Sequence, residues 1–328
     1  MPWLVTGGAG YIGAHVVAAL RERGERPVVL DDLSTGDPGR VGDAVLVEGS
    51  ILDEALVRRT LREHGIDGIV HFAAKKQVGE SVADPLMYYE HNVNGTLVLL
   101  RAAVAEGVPA FLFSSSAATY GTPPTELVTE DTPQAPMSPY GTSKLVGEWM
   151  GRDVAAATGL RVMALRYFNV AGAARPELGD PAVLNLVPMA FRALSAGDPP
   201  QIFGEDYPTP DGTCIRDYVH VADVADAHVT AVEHLASGVL ASGEPVPPFS
   251  VFNIGRGEGA SVRDVLTEVR RVTGIDVEPL VVGRRPGDPP AYAAVVDRIK
   301  TDLGWAASHD LHSMVASAWE AWKFRPGR

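Results

Sequence analysis

The sequence predicts an α/β fold, in which a doubly wound parallel sheet is followed by a smaller, mixed α/β C-terminal domain. Short apolar runs alternate with amphipathic, helix-like stretches through the first 170 residues, which is typical of repeated strand–helix–strand units. A turn with three evenly spaced glycines joins the first run to the first helical stretch, and the regular alternation ends after residue 170, where proline and glycine become frequent. Because strand–helix–strand units are right-handed, repeating them places helices on both faces of one open sheet.

The predicted elements follow in order along the chain. The strands are the apolar runs at residues 3–5, 28–30, 69–72, 111–113 and 162–165, with a later one at 249–253. The helices are at 12–23, 53–64, 84–106 and 140–158, and then at 183–195, 221–236, 261–272 and 310–322. We therefore assign residues 1–170, with returning segments near 215–255, to the sheet domain and residues 171–328 mainly to the second domain.

Composition narrows the class of protein. The 328 residues are 46% hydrophobic and 21% charged, an ordinary globular balance. The net charge of −13 argues against nucleic acid or an anionic membrane as a partner. Cys214 is the only cysteine and no His or Cys spacing suggests a ligand set, so we predict neither a disulfide nor a metal site. With no signal-peptide pattern and no apolar run of about 20 residues, we expect a cytoplasmic location.

The glycine turn is the segment TGGAGYIG at residues 6–13. Gly7, Gly10 and Gly13 are three residues apart, follow the first strand and open the first helix, whose first turn carries Tyr11 and Ile12. Glycine permits a tight turn and the close approach of backbone to a pyrophosphate, whose charge lies at a helix N-terminus. The turn and its context therefore predict a Rossmann-like site for a dinucleotide.

The end of the second strand indicates which dinucleotide binds. Asp31 follows Val28-Val29-Leu30, and a carboxylate at this point accepts hydrogen bonds from the adenosine ribose hydroxyls and repels a 2′-phosphate. No arginine follows, so the sequence favours NAD over NADP. The neighbouring Asp32 is expected to be a solvated carboxylate.

The segment SPYGTSK at 138–144 predicts a general base. Ser138 suits a helix N-cap and Pro139 the first helical position, so Tyr140 and Lys144 lie one turn apart on one face. The pKa of a free tyrosine is about 10, and the charges of Lys144 and a nicotinamide are both expected to lower it. Tyr140 is then able to take a proton from an alcohol while a hydride leaves to the cofactor.

Three serines follow the strand at 111–113, in the segment FLFSSSAATYG. Ligands bind at the carboxyl ends of strands in such sheets, so these hydroxyls are expected to face the site. We predict that Ser116 is the hydrogen-bond partner of the reacting oxygen and that Ser114 lies nearer the cofactor.

These motifs, together with LRYFNVAGA at 165–173, resemble the extended short-chain dehydrogenase/reductase superfamily. Five further segments are similar to UDP-glucose 4-epimerases, and the likeness runs in order to about residue 305. They are HFAAKKQVGES (71–81), YYEHNVNGT (88–96), IFGEDYPTPDGTCIRDYVHVADVADAH (202–228), FNIGRG (252–257) and RRPGDPPAY (284–292).

The resemblance implies an NAD-dependent inversion at C4 of UDP-glucose or UDP-galactose through a 4-keto sugar, with a role in galactose metabolism. It assigns Tyr140 as base, Ser116 as its hydroxyl partner and Lys144 as the charge that tunes it. Further cofactor contacts are implied for Ile51, Phe72, Ala73, Lys76, Asn92, Ser114 and Tyr167. Substrate contacts are implied for Lys76, Ser116, Tyr140, Asn169, Asn185, Leu186, Phe203, Arg216, Arg285, Asp288 and Tyr292.

The resemblance has further implications. The first domain would bind NAD, the second mainly the UDP-sugar, and the helices near 84–106 and 140–158 would form a homodimer. Arg216 and Arg285 would hold the diphosphate, because guanidinium groups match phosphate oxygens. A bulky Tyr292 would leave little room for a 2-N-acetyl group. Ser50, Ala118 and His91 depart from residues common in the family, and a structural role is expected for His91.

Several alternatives stay open at this point. A 4,6-dehydratase would need an acid after Ser116, where the chain has Ala117-Ala118-Thr119. An epimerase for UDP-pentoses or UDP-uronates is not excluded. A non-catalytic NAD-sensing protein would be expected to lack Tyr140 or Lys144, and an ordinary dehydrogenase would release NADH.

Overall fold

A computed structural model of the chain describes residues 1–285 and 288–324. The strands are β1 (Pro2–Thr6), β2 (Arg26–Asp31), β3 (Val45–Glu48), β4 (Gly68–His71), β5 (Ala110–Ser116), β6 (Leu127–Val128), β7 (Arg161–Tyr167), β8 (Asn169–Ala171), β9 (Gln201–Phe203), β10 (Ile215–His220), β11 (Phe249–Ile254), β12 (Gly259–Ser261), β13 (Leu280–Val282) and β14 (Ala291–Ala294). The α-helices are α1 (Tyr11–Glu22), α2 (Glu54–Glu63), α3 (Val78–Ala83), α4 (Pro85–Tyr88), α5 (Gly95–Glu106), α6 (Pro139–Thr158), α7 (Leu186–Ala196), α8 (Val221–Ser237), α9 (Val262–Thr273), α10 (Asp297–Leu303) and α11 (Leu311–Phe324).

The main sheet has seven parallel strands in the order β11-β7-β5-β4-β1-β2-β3. This order confirms the doubly wound fold, and the six predicted strands all lie in this sheet. The sequence-based prediction omitted β3, a four-residue edge strand whose apolar run at 45–47 is only partly buried. It also missed the short helices α3 and α10.

Strand alternation divides the apolar residues of the sheet between two cores. Trp3, Val5 and Leu112 belong to the core on the face of α1 and α8. Phe111 and Phe113 belong to the opposite core, which α2, α5 and α6 cover. Since successive side chains of a strand point to opposite faces, each short apolar run supplies both cores and the sheet is buried on both sides.

The predicted helix at 84–106 is present and contains a π-helical segment. Helix α4 is followed by a π-helical segment, Tyr89–Asn94, and then by α5. A π-helical turn inserts a residue into the helix and is frequent at functional sites. In this chain it carries Asn92, whose side chain reaches the loop after β4 and contacts Ser143 on α6.

The second half of the chain builds a separate core and a second sheet. That core includes Val187, Phe191, Val265 and Trp322, from α7, α9 and α11. Of the segments near 215–255 from which the predicted return was to come, β10 lies in the second sheet, where it pairs with β8, β12 and β14. Its backbone edges are already occupied there, whereas β11 completes the main sheet beside β7. Among the described residues, no helix is both long and apolar enough to cross a bilayer.

Candidate active site

The glycine turn brings two loops of the main sheet into contact. Gly7 has a φ of +72°, and a Cβ there would lie 2.6 Å from the backbone nitrogen of Ala73. A Cβ on Gly13 would lie 2.2 Å from the carbonyl oxygen of Gly7. Glycine is therefore required at both positions, for the backbone conformation at Gly7 and for the close approach at Gly13.

Helix α1 begins directly after this turn. Its N-cap is Gly10, which offers no side-chain cap, so the amides of the first turn are left for another acceptor. The hydroxyl of Tyr11 donates to the Gly172 carbonyl oxygen at 2.5 Å, which links this helix end to the second half of the chain. Ile12 is half-buried in the same turn. A pyrophosphate suits the uncapped amides and the helix dipole.

Asp31 ends β2 and is buried beside the turn. Its two carboxylate oxygens accept hydrogen bonds from the backbone N–H groups of Ala9, at 3.0 Å, and Leu33, at 2.9 Å. Burial raises the pKa of Asp31, and the two amides oppose that shift. Leu33 has a φ of +56°, a costly conformation for leucine that the site imposes. Each oxygen keeps a lone pair for a ribose hydroxyl, so the carboxylate fits the role predicted for it.

The wall beyond β4 is formed by the loop that starts with Phe72 and Ala73. Asn92 accepts from the Lys75 amide at 2.8 Å and donates to the Lys75 carbonyl at 2.9 Å. Its amide is thus engaged in fixing this loop, which presents Lys76 to solvent. Ile51 is buried, and a Cβ on Gly95 of α5 would lie 2.4 Å from it.

The three predicted catalytic residues meet at the carboxyl end of β5. The Ser138 hydroxyl caps α6 by accepting from the Gly141 amide at 3.1 Å, which places Tyr140 in the first turn. Ser116 ends β5, and its hydroxyl hydrogen-bonds the Tyr140 phenol. One turn later, the Lys144 ammonium donates to the Ser114 carbonyl oxygen at 2.8 Å.

The pKa of the Tyr140 phenol differs from the sequence-based expectation that Lys144 lowers it. Burial raises the pKa of its phenol, and the Ser116 hydrogen bond is the influence that lowers it. The Lys144 ammonium is directed at the Ser114 carbonyl and lies 5.2 Å from the centroid of the Phe113 ring. Burial also lowers the pKa of Lys144 to about 8. An acidified phenol therefore requires further positive charge, of the kind that an oxidised nicotinamide carries.

Ser114 and Tyr167 form a second polar pair at this edge. Their hydroxyl oxygens lie 2.5 Å apart, and burial raises the pKa of the Tyr167 phenol. Since the Ser114 carbonyl also receives Lys144, this serine orders the site through both of its oxygens. Their predicted contacts with the cofactor stay predictions.

A buried ion pair that the sequence did not lead us to predict lies beneath the catalytic group. Arg166 donates to Glu148 through Nε, at 2.8 Å, and Nη2, at 2.5 Å, and both side chains are almost fully buried. The sequence does contain an indication of this pair. Glu148 follows Lys144 by four residues on a helix face of small and apolar residues. Arg166 likewise interrupts the apolar strand VMALRY.

The predicted substrate residues gather in the second half of the chain. Arg216 on β10 pairs with Tyr292 on β14, and its guanidinium lies 5.3 Å from that ring centroid. It also lies 3.6 Å from Asp288, measured from Nη2 to the nearer carboxylate oxygen. The Arg285 guanidinium lies 3.7 Å from the centroid of the Phe203 ring. Each of these two guanidinium groups thus lies against an aromatic ring, and this combination of charge and ring suits a nucleoside diphosphate.

Three further substrate candidates lie at other points of this half. Asn169 is exposed at the start of β8, and Asn185 is the exposed N-cap residue of α7. The Asn185 amide contacts Asp180 at 3.4 Å, and Leu186 packs at the edge of the core of the second half. No contact in the structure tests their predicted roles.

Residues 3–255 match the model of the NAD dependent epimerase/dehydratase family. The chain is 48% identical to the UDP-glucose 4-epimerase of Azospirillum brasilense, over 97% of this chain and 91% of that protein. It is 42% identical to the UDP-glucose 4-epimerase of Halalkalibacterium halodurans, over 99% and 97% of the two chains.

Solved structures are similar over the same span. The UDP-glucose 4-epimerase of Brucella ovis in complex with NAD is 43% identical, with a TM-score of 0.92 and 98% of each chain covered. That of Bifidobacterium longum in complex with NAD+ and UDP is 36% identical, with a TM-score of 0.90 and 99% of each chain covered. The chain therefore belongs to the NAD-dependent epimerase/dehydratase family and, within it, to the UDP-glucose 4-epimerases.

Proposed function

We propose that this chain interconverts UDP-glucose and UDP-galactose by inverting C4 of the sugar, with NAD as cofactor and Ser116, Tyr140 and Lys144 as catalytic residues. The observation that carries this proposal is the meeting of these three side chains at the edge that also carries the glycine turn and Asp31. The relatives at 42–48% identity support the same reaction.

NAD supplies the chemistry that no side chain has, by accepting a hydride from C4 and returning it. The protein supplies the proton transfer. Tyr140 takes the proton of the sugar O4 and later gives it back, and the Ser116 hydroxyl keeps the phenol and the reacting oxygen in hydrogen-bond reach. Because one phenol serves both half-reactions, the site ends each turnover as it began.

Lys144 contributes charge and orientation. With a pKa of about 8 it is protonated near neutral pH, and one of its three N–H bonds is directed at the Ser114 carbonyl. Its other donors are available to a cofactor ribose. Its positive charge adds to that of an oxidised nicotinamide, and the two charges together favour a phenolate on Tyr140 during proton transfer.

The nucleotide is proposed to bind between the arginines of the second half. Arg216 and Arg285 would take the diphosphate, Phe203 the uracil ring and Asp288 the uridine ribose. The guanidinium groups already lie against Tyr292 and Phe203, so charge and aromatic surface are adjacent. Anchoring by the nucleotide leaves the sugar free to present either face, as an inversion at C4 demands.

A panel of UDP-sugars tests the function. Incubation with UDP-glucose, UDP-galactose, a UDP-pentose and a UDP-uronate, followed by separation of the products, is expected to show interconversion of the two hexoses without accumulation of NADH. Steady release of NADH would point to a dehydrogenase, and turnover of only the pentose or the uronate would change the substrate.

Tyr292 is proposed to limit the size of the sugar. Its ring lies between Arg216 and Phe168, whose ring centroid is 5.6 Å away, so it is held in place on both sides. We expect Tyr292→Ser to raise kcat/KM for UDP-N-acetylglucosamine relative to UDP-glucose by about 10-fold or more, because removing a ring frees space for an acetamido group. Tyr292→Phe retains the ring and is expected to keep the wild-type preference. An unchanged ratio in the serine variant would contradict the assignment.

A homodimer is also proposed, through α4, the π-helical segment, α5 and α6. This face exposes apolar side chains in a cluster, with Leu86 at 78%, Trp149 at 47% and Leu97 at 39% of full exposure. In sedimentation velocity, the wild type is expected to be dimeric and Leu97→Glu largely monomeric. Leu280→Glu, at an exposed apolar residue on β13, serves as the control and is expected to stay dimeric. A monomeric wild type would contradict the proposal.

The single cysteine of the chain suits a reducing compartment, and we propose the cytoplasm as its location.

A further inference from the structure

A row of polar residues crosses the main sheet directly beneath the catalytic group. Ser115 on β5, Arg166 on β7 and Asn253 on β11 are register partners across three adjacent strands. All three are buried, in a parallel sheet whose strands are mostly apolar. Packing of the core does not explain why polar residues occupy these three positions.

Glu148 on α6 covers this row. The hydroxyl of Ser115 donates to its Oε1, and Arg166 binds both of its oxygens. The remaining guanidinium nitrogen, Nη1, donates to the Tyr120 hydroxyl at 2.9 Å, and that hydroxyl donates to Asn253 Oδ1 at 2.7 Å. The network is therefore closely connected, and few of its polar atoms lack a partner.

Stability is a poor explanation for this ion pair. Taking two charges out of water is costly, and apolar residues of similar volume often replace such a pair without loss. The pair is better explained by its position. Ser115 lies between Ser114, whose carbonyl receives Lys144, and Ser116, whose hydroxyl binds Tyr140.

The charge of Glu148 acts on the same site. It follows Lys144 by one helical turn, and its negative charge partly offsets the burial that lowers the pKa of that lysine. Arg166, which binds Glu148, is positively charged, whereas His71, Tyr140 and Tyr167 carry no charge near neutral pH. On β4, burial and Lys144 lower the pKa of His71 to about 3, and on α6 and β7 burial raises the pKa of Tyr140 and Tyr167.

We infer that Glu148, held by Arg166, is a positioning residue for the reaction: it fixes the Ser114–Ser116 strand end against α6 and keeps the buried Lys144 ammonium charged. This inference rests on the proposed function, because it assigns Lys144 the role of a cation during turnover. Glu148 acts through Lys144 and Ser115 and touches neither sugar nor cofactor in this assignment.

The pH profile of kcat for UDP-galactose tests it. In the wild type, kcat is expected to fall at alkaline pH as Lys144 loses its proton. This alkaline limb is expected to disappear in Lys144→Met. Glu148→Gln preserves the size of the side chain and removes its charge, so the limb is expected to move to lower pH by about one unit or more. Glu63→Gln, an exposed substitution at the end of α2, is the matched control and is expected to leave the limb in place.

A double variant keeps the test informative if Glu148→Gln misfolds. Glu148→Gln leaves Arg166 charged without its partner, whereas Glu148→Gln combined with Arg166→Met removes both buried charges and is expected to fold. Its limb is also expected at lower pH than in the wild type, because Glu148 is the charge that acts on Lys144, but the shift is expected to be smaller than in Glu148→Gln, where the unpaired Arg166 cation remains.

Failure of this inference and failure of the proposed function would give different results. Limbs at the wild-type position in both variants, with kcat lowered equally at every pH, would give Glu148 a purely structural role and overturn the inference. A wild type that fails to epimerise any UDP-sugar would overturn the proposed function itself.

Discussion

Tyr140→Phe is expected to lower kcat for UDP-glucose by at least about 100-fold, because the variant keeps the ring and loses the only phenol that Ser116 orients toward the site. NAD binding is expected to persist, since the glycine turn and Asp31 are untouched. The measurement pairs the epimerisation rate with the NAD content of the purified protein.

Tyr89→Phe is the matched control for this variant. Tyr89 is a partly exposed tyrosine on the π-helical segment, so its substitution removes a phenol outside the catalytic group. Its kcat is expected to stay within about twofold of the wild type. Wild-type activity in Tyr140→Phe would remove Tyr140 from the role of base, and loss of bound NAD would show that its hydroxyl serves the cofactor instead.

Gly13→Ala is expected to have the second largest effect, on NAD retention and on folding together. The added methyl would lie 2.2 Å from the Gly7 carbonyl oxygen, which is backbone and cannot turn away as a side chain can. Helix α1 must then separate from the turn, so we expect loss of about 1–3 kcal/mol in the free energy of unfolding. NAD affinity is expected to fall by about 100-fold, since the turn and the helix N-terminus form one cradle.

Gly79→Ala provides the comparison. Gly79 lies in α3 with nothing within 4 Å of an added Cβ, so its substitution is expected to be neutral or stabilising by up to about 1 kcal/mol. For both variants, isothermal titration calorimetry measures the affinity for NAD, and urea denaturation measures the free energy of unfolding. Equal NAD affinity in Gly13→Ala and Gly79→Ala would show that close packing at Gly13 is unimportant for the cofactor.

The electrostatic state of Tyr140 changes how its activation is understood. The spacing of Tyr140 and Lys144 suggests a phenol acidified by its lysine, yet burial raises the pKa of the phenol and Lys144 faces the Ser114 carbonyl. Helical spacing fixes which face two side chains share, but the surrounding strand decides where a flexible ammonium points. The catalytic base is therefore expected to depend on the positive charge of the bound cofactor.

In the second half of the chain, too, the sequence indicates which residues to consider, and the tertiary structure decides how they are arranged. Sequence similarity selected Arg216 from one segment and Asp288 and Tyr292 from another, and the structure brings them together through the pairing of β10 with β14. Of the strands near 215–255, β11 joins the main sheet and β10 the second sheet, because a short strand pattern is compatible with either sheet.

The sequence by itself determined the doubly wound sheet, the glycine turn, the carboxylate at Asp31 and the placement of Tyr140 and Lys144 one turn apart. These features are local, since strand period, helix capping and the steric demands of glycine act within a few residues. Only the tertiary structure decided that the helix at 84–106 widens to a π-helical segment around Asn92, that β10 joins the second sheet, and that Glu148 and Arg166 pair beneath the catalytic strand end. Each depends on contacts between segments far apart in the chain, where burial and the available hydrogen-bond partners decide which arrangement has the lower free energy.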